Sequence, residues 1–480
     1  MKGIPRVSAL CALAMLASLT ASVANSAEPV SSEAIAASLR DKALHGDTVA
    51  WDFTSELTTR IGPRPAGSAA ELAAAEWSAR KLRALGFENV RIETFPITAW
   101  VRGTERAEIT SPSSQPLTAA ALGGAPGTAA GGLEGEVALF ASFDDLKSAA
   151  PGSLNGKIAM IAFHMPRTQD GSGYGTAVAG RALGPIEAAK RGAIGFAIRS
   201  MATGGHRLAH AGATRFAEGR VPIPAFAFSE PDSDQIERLV RLGEKVRVRL
   251  TSGATYVANA HSQNVIGDIR GSTRPSEIIV LGAHLDSWDL GTGAIDDAAG
   301  TAIITAAARL IRDAPRKPQR TVRVVLFGSE EITQPTDVLL GNRTYAEGQK
   351  SQLASHILAG ESDFGADRIY SVGLPKGMAD SAFAHTLARV LAPLGIITAA
   401  PPEDGGADVA PLGQAGVPLF ALNQDGTHYF DYHHTADDTL DKIQPEALSQ
   451  NVAAWVSLAW LAADSEVSFR TPPATLTSGR

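Results

Sequence analysis

A chain of 480 residues is long for a single core and is expected to hold two domains, or one domain carrying a large insertion. With 44% hydrophobic and 19% charged residues it has the composition of a soluble globular protein with apolar material for a sizeable core. The formal charge of −7, without any cluster of Lys and Arg, excludes nucleic acid as the main partner.

Lys2 and Arg6 precede an apolar stretch from Val7 to about Ala21, followed by small residues through Ala24 and Ala27. That run is too short to span a bilayer and reads as a cleaved secretory leader over residues 1–27, so the expected location is secreted or periplasmic. Leu10 before Cys11 argues against lipidation. Cys11 is the only cysteine and leaves with the leader, so the mature chain holds no disulfide and has no membrane partner. No other segment approaches transmembrane length.

From Ser68 the spacing predicts a helix. Ser68 and Glu71 form a capping box, Leu72, Ala75, Ala79, Leu82 and Leu85 make one face, and Gly86 stops it. Val90 to Phe95 reads as a strand. From about Thr118 to Leu133 the chain turns to Gly, Ala, Pro and Thr, which signals a loop or a crossover into something new. The block from about Glu134 to Ser252 carries short strands such as Ile158 to Ala162 and Val246 to Leu250, one helical stretch around Ile186 to Arg191, and the run Gly192 to Ile198. The main domain resumes near Asn259.

The second half alternates strands and helices, which predicts an α/β fold with a mostly parallel central sheet flanked by helices. An apolar run from Ile278 ends abruptly in His284 and Asp286; Gly293 to Gly300 then carries Asp296 and Asp297, and Asp297 is placed to cap a helix running to about Ile311. A second run, Val322 to Phe327, stops at Gly328-Ser329-Glu330-Glu331. Strands near His356 to Ala359 and Val417 to Leu422 follow, with Asp363 just beyond the first. Five donors, His284, Asp296, Glu331, Asp363 and His434, therefore come in an order that suits two four-coordinate zinc sites built from imidazole and carboxylate. Gly291 and Gly293 do not make a phosphate loop, because Asp286, Asp289 and Asp296 would repel phosphate and no Lys follows.

The string His284-Leu-Asp-Ser-Trp-Asp289, the Asp296-Asp297 and Glu330-Glu331 pairs, Glu361-Ser-Asp363 and His433-His434-Thr-Ala-Asp-Asp438-Thr together resemble the co-catalytic zinc exopeptidases. Gly62 to Ser68, Trp100 to Glu105 and Leu122 to Gly127 extend the resemblance over nearly all of the mature chain.

The resemblance implies two zinc ions. Asp363 and His284 would complete one site, Glu331 and His434 the other, and Asp296 would bridge them, while Glu330 acts as general base. His433 and His434 compete for the last position; members of this family place the ligand four residues before an Asp-Thr pair, and Asp438-Thr439 selects His434. Asp286, two residues after His284, is expected to take the proton of the far ring nitrogen and so fix its tautomer. His206 and His210 lack carboxylates at ligand spacing and are expected on the surface.

The resemblance further implies a catalytic domain over residues 28–127 and 256–480, interrupted at 128–255 by a β-rich protease-associated insertion. Its substrates would be dipeptides or short peptides, with removal of a C-terminal residue favoured over aminopeptidase action, and the protein would form a homodimer. The chain departs from the family after Glu331, where Ile332 to Gly341 is longer and holds Pro335, which bears on pocket shape.

Overall fold

The computed structural model describes residues 1–3, 30–215, 221–332, 340–401 and 405–470. The leader expected at 1–27 and the segment around Pro335 lie largely or wholly outside the described residues. Contacts divide the chain into Met1–Ser31 and a compact unit from Ser32 to Arg480, which holds all of the sheets. Among the described residues, no helix is long and apolar enough to cross a membrane.

The strands that matter run, in chain order, β1 (Glu88–Val101), β2 (Glu105–Ser111), β3 (Gln115–Leu117), β4 (Ala119–Ala121), β5 (Leu133–Phe140), β6 (Lys157–Ile161), β7 (Gly195–Arg199), β8 (Ala225–Phe228), β9 (Arg247–Ser252), β10 (Thr255–Ile269), β11 (Arg274–His284), β12 (Arg320–Phe327) and β13 (His356–Glu361). They form a five-stranded sheet, β1-β10-β12-β11-β13, and an eight-stranded sheet, β3-β2-β9-β5-β6-β7-β8-β4. Strands Ile369–Gly373, Ile397–Thr398 and Ala421–Gln424 make a third, small sheet.

The five-stranded sheet is mixed, not mostly parallel. β11 lies parallel to both β12 and β13, but β1 and β10 add two antiparallel pairings at the other edge. The reason is the long β1–β10 ribbon, whose register runs from Glu88 opposite Asp268 to Val101 opposite Thr255. A ribbon that leaves the sheet this way must be antiparallel, and it sets the exit and the re-entry of residues 102–254 side by side. The eight-stranded sheet is built entirely within those residues and is also mixed.

β11 and β12 read as near-continuous apolar runs because helices cover the five-stranded sheet. Helix Ala299–Arg312 is buried along almost its whole circumference, and helix Pro445–Asp464 buries Trp455 and Trp460 against it. The predicted helix at Ser68 spans Ala69–Ala84, and the Ser68 hydroxyl accepts from the Glu71 amide. Ala75, Ala79 and Leu82 face inward as expected, but Leu72 is 44% exposed, and Glu71, Ala74 and Ser78 are buried instead. The Glu71 carboxylate causes the rotation, because it accepts from the Gly67 amide and the Ser262 hydroxyl beneath the helix and draws position 71 inward.

Candidate metal centre

Parallel register delivers the donors to one edge. His284 closes β11 opposite Phe327 of β12, and Gly282 lies opposite Glu361 of β13, so the chain emerging after each strand reaches the same side of the sheet. Asp296 enters from the segment before helix Ala299–Arg312, and His434 from the loop after the short helix Tyr429–Tyr432.

There the five carboxylate and imidazole donors converge. His284 Nε2 lies 2.9 Å from Asp296 Oδ1 and 3.3 Å from Asp363 Oδ1. On the other side His434 Nε2 lies 3.1 Å from both Asp296 Oδ2 and Glu331 Oε2. Asp296 thus stands between two imidazoles, each with a second carboxylate. Donors held about 2.0–2.1 Å from one tetrahedral centre are roughly 3.3 Å apart, so the spacing suits metal ligation. Asp296 Oδ2, Glu331 Oε1 and Asp363 Oδ1 are buried and accept no hydrogen bond from any described residue. A buried carboxylate oxygen left so is costly, and a divalent cation offsets that cost.

The surrounding residues hold this geometry. Asp297 is engaged by the backbone: its Oδ1 accepts from the Gly300 amide and starts the helix, and its Oδ2 accepts from the His284 amide, while one of its oxygens also lies within 4.8 Å of donor atoms of His284 and Asp363. Gly300 leaves room for it, since a Cβ there would come within 2.2 Å of Asp297 Oδ1. Asp438 accepts from the amides of Ala294 and Ile295, at 2.7 Å each. Arg64 is fully buried and donates to the carbonyls of Leu285, Thr292 and Gly293, clamping the loop between His284 and Asp296.

Asp286 acts differently from the expectation. The far ring nitrogen of His284 is 3.0 Å from the backbone carbonyl of Asp286, whereas the carboxylate is 3.8 Å away. That carboxylate instead accepts from the amides of Glu330 and Glu331, at 3.1 and 3.2 Å, and so fixes the turn that presents both glutamates. The carboxylate takes the paired amides as donors in place of the imidazole, and the backbone donors of the turn are thereby satisfied.

The site is rich in buried carboxyl groups, and burial dominates their electrostatics. Burial pushes the Glu330 carboxyl up to about 8, reinforced by Asp363, Asp286 and Asp296 against the pull of His284. Glu331 is also raised, by burial and then by Asp296 and Glu330. Asp296 goes the other way: burial opposes its ionisation, but His284, His433 and His434 hold it well below the usual carboxylate range.

His433 and His434 stack at 3.6 Å between ring centroids. His433 also comes within 3.3 Å of Asp296 Oδ2, but its other nitrogen faces His210 Nε2 at 2.9 Å, and only His434 reaches Glu331 as well. His434 adopts a left-handed backbone, φ 59°, and its carbonyl accepts from the Ala211 amide.

His210 is therefore not a surface residue. It is 1% exposed and belongs to the segment between β7 and β8, while His206 is exposed as expected. Tyr174 and Arg181, from helix Ser172–Lys190, join Glu330, Glu331, Asp363 and His434 around a cleft of about 270 Å³. Nothing in local spacing could reveal these three, because their partners lie more than two hundred residues away or in another sheet. Glu361, whose Oε2 accepts from the amides of Asp408 and Val409, was likewise legible only as a neighbour of Asp363.

An α/β sheet that gathers two imidazoles and three carboxylates at the edge where its parallel strands end, beside a further carboxylate in an open cleft, defines a metal-dependent hydrolase. The family model for Peptidase family M28 matches residues 264–459. Carboxypeptidase Q of Mus musculus is 33% identical over 85% of this chain and 84% of its own length. The crystal structure of a peptidase M28 precursor from Shewanella amazonensis is 44% identical, with a TM-score of 0.88 over 92% of this chain and 99% of that one. BSAP, a zinc aminopeptidase from Bacillus subtilis, shares the fold, with a TM-score of 0.62 at 21% identity over 87% of this chain and 95% of its own. The chain belongs to peptidase family M28, a family of co-catalytic zinc exopeptidases, and is a metallo-exopeptidase.

Proposed function

We propose that the chain is a two-zinc exopeptidase that hydrolyses dipeptides or short peptides, carried above all by the position of Asp296 between His284 and His434. His284 and Asp363 would hold one ion, Glu331 and His434 the other, and Asp296 both. Zinc bound there supplies Lewis acidity toward a carbonyl and acidifies water. Glu330 is the general base: it takes a proton from the attacking water and returns it to the leaving amine. Asp286 holds Glu330 and Glu331 through their amides and is a positioning residue. Burial raises the Glu330 carboxyl to about 8, and cations held by the neighbouring ligands would favour its ionised form.

Similarity to carboxypeptidase Q supports removal of a C-terminal residue; similarity to a zinc aminopeptidase keeps the opposite direction as the alternative. The reading includes export to the periplasm or the medium and a homodimer. It also includes a protease-associated insertion, but one that begins near residue 102 rather than at 128: β2, β3 and β4 belong to the eight-stranded sheet, whose chain leaves the β1–β10 ribbon at Val101 and rejoins it at the facing Thr255. Elemental analysis of the zinc-reconstituted protein should find about two ions per chain, and a chelator should abolish peptidase activity. Reconstituted protein with no bound metal would overturn the reading.

A further inference from the structure

Arg181 stands on helix Ser172–Lys190, between β6 and β7 and outside the five-stranded sheet, yet it lines the cleft with Glu330, Glu331 and Asp363. It is 7% exposed. Its Nε donates to the Ala213 carbonyl at 3.2 Å, and its guanidinium lies over the Tyr174 ring, 5.4 Å from the centroid. Its Nη1, by contrast, is buried without a hydrogen-bond partner among the described residues.

This position is built for the guanidinium. Gly212 has φ 134°, and a Cβ on it would come within 2.1 Å of Nη1, so the backbone makes room for the head group where any side chain would displace it. Arginine cannot escape burial by losing its proton, so an unpaired N–H in a closed wall is costly unless a ligand completes it. In the cleft, Asp296, Glu331 and Asp363 face the imidazoles of the metal centre. What fits an arginine fork held apart from them is a carboxylate that arrives with the substrate.

We infer that Arg181 binds the free C-terminal carboxylate of the peptide and so sets the direction of cleavage. This rests on the exopeptidase reading above, and it assigns the choice of peptide end to a residue of the segment between β1 and β10.

The test uses the zinc-loaded full chain and three substrates: Ala-Ala, its C-terminal amide, and Ala-Glu amide, whose only carboxylate is on the side chain. The wild type should prefer Ala-Ala to its amide. Arg181→Met should lower kcat/KM on Ala-Ala roughly 10- to 100-fold, mostly through KM, and leave the amide within about twofold. Arg181→Lys, which keeps the charge without the planar fork, should fall between them, and it carries the test if the Met variant does not fold. A purely structural role would lower activity on both substrates together. An acid-to-amide ratio unchanged by either substitution overturns the proposal, as does a loss confined to Ala-Glu amide, which would assign Arg181 to a side chain. A wild type that cleaves Ala-Ala amide as well as Ala-Ala refutes both the carboxylate subsite and the carboxypeptidase direction, but leaves the exopeptidase intact. If zinc-loaded wild type cleaves none of the three, the peptidase reading fails instead; calorimetric binding of Ala-Ala that is weakened by Arg181→Met would still uphold the subsite, and binding unaffected by it would overturn it.

Discussion

The two large sheets contribute to the cleft in different ways. The five-stranded sheet brings His284, Glu330, Glu331 and Asp363 to it directly, each within a few residues of a strand end, where parallel register makes the positions coincide. The eight-stranded sheet contributes none of the five donors; the helix and loops around it bring Tyr174 and Arg181 to the same cleft and set His210 against His433. The difference separates chemistry from recognition: donors for a cation need rigid strand ends, whereas a wall that meets the substrate can come from an element carried on a ribbon.

The sharpest way to break this comparison is to remove the shared carboxylate. Asp296→Ala should empty both metal positions and abolish turnover, read by elemental analysis and peptidase assay; retained metal with normal turnover would refute the central role given to the five-stranded sheet. Next in size, Glu330→Ala should keep its metal and slow kcat by at least ~10²-fold, the scale of a lost general base. Near-normal kcat would require another base.

The pH dependence of stability should show the cost of the empty anion cluster. Glu71 and Glu330 are both raised to about 8 by burial, so the folded metal-free protein binds more protons than the unfolded chain between about pH 4.5 and 8. The stability they contribute is complete at low pH and is lost as pH rises through that window. His210 and His433, lowered by burial, have the opposite sign but act mainly below their ordinary value of 6.5. The urea midpoint of metal-free protein should therefore fall from pH 6.5 to 8, and zinc should abolish or reverse that fall; a rise without metal would contradict the assignment.

His210→Ala should lower activity roughly tenfold with both ions still bound, the scale of a residue that supports a neighbour of the metal ligands. Loss of metal would instead promote the eight-stranded side to a ligand source. The smallest effect belongs to the helix Ala69–Ala84: Leu72→Ser should change stability by less than about 0.5 kcal/mol, while Leu82→Ala should cost about 2–5 kcal/mol. Comparable losses at both would mean that the rotation imposed by Glu71 is absent.

Much of this site is legible in the amino-acid sequence alone. Apolar runs that stop at His284 and before Glu330 announce buried strands ending in polar groups, and water cannot satisfy those groups cheaply unless they meet a partner. Asp297 as a helix cap is equally legible, because capping is a contact over three residues. Leu72 misleads because helical spacing counts apolar residues, whereas the inward position is taken by a glutamate with buried partners at Gly67 and Ser262. Asp286 misleads because adjacency to His284 suggests a side-chain contact that the amides of Glu330 and Glu331 take over.

By itself, then, the order of residues determined which strands are buried, where their polar ends fall, and which side chains could ligate a metal, all consequences of hydrophobic patterning and short-range geometry. The tertiary structure alone decided that the central sheet is mixed, since one long ribbon folds back antiparallel at its edge. It also decided that Arg181 lines the cleft and that His210 is buried against His433. A histidine or an arginine in a loop or helix of another sheet carries no local signal of its partner, and only the packing of residues 102–254 against the strand ends makes its burial, and therefore its chemistry, what it is.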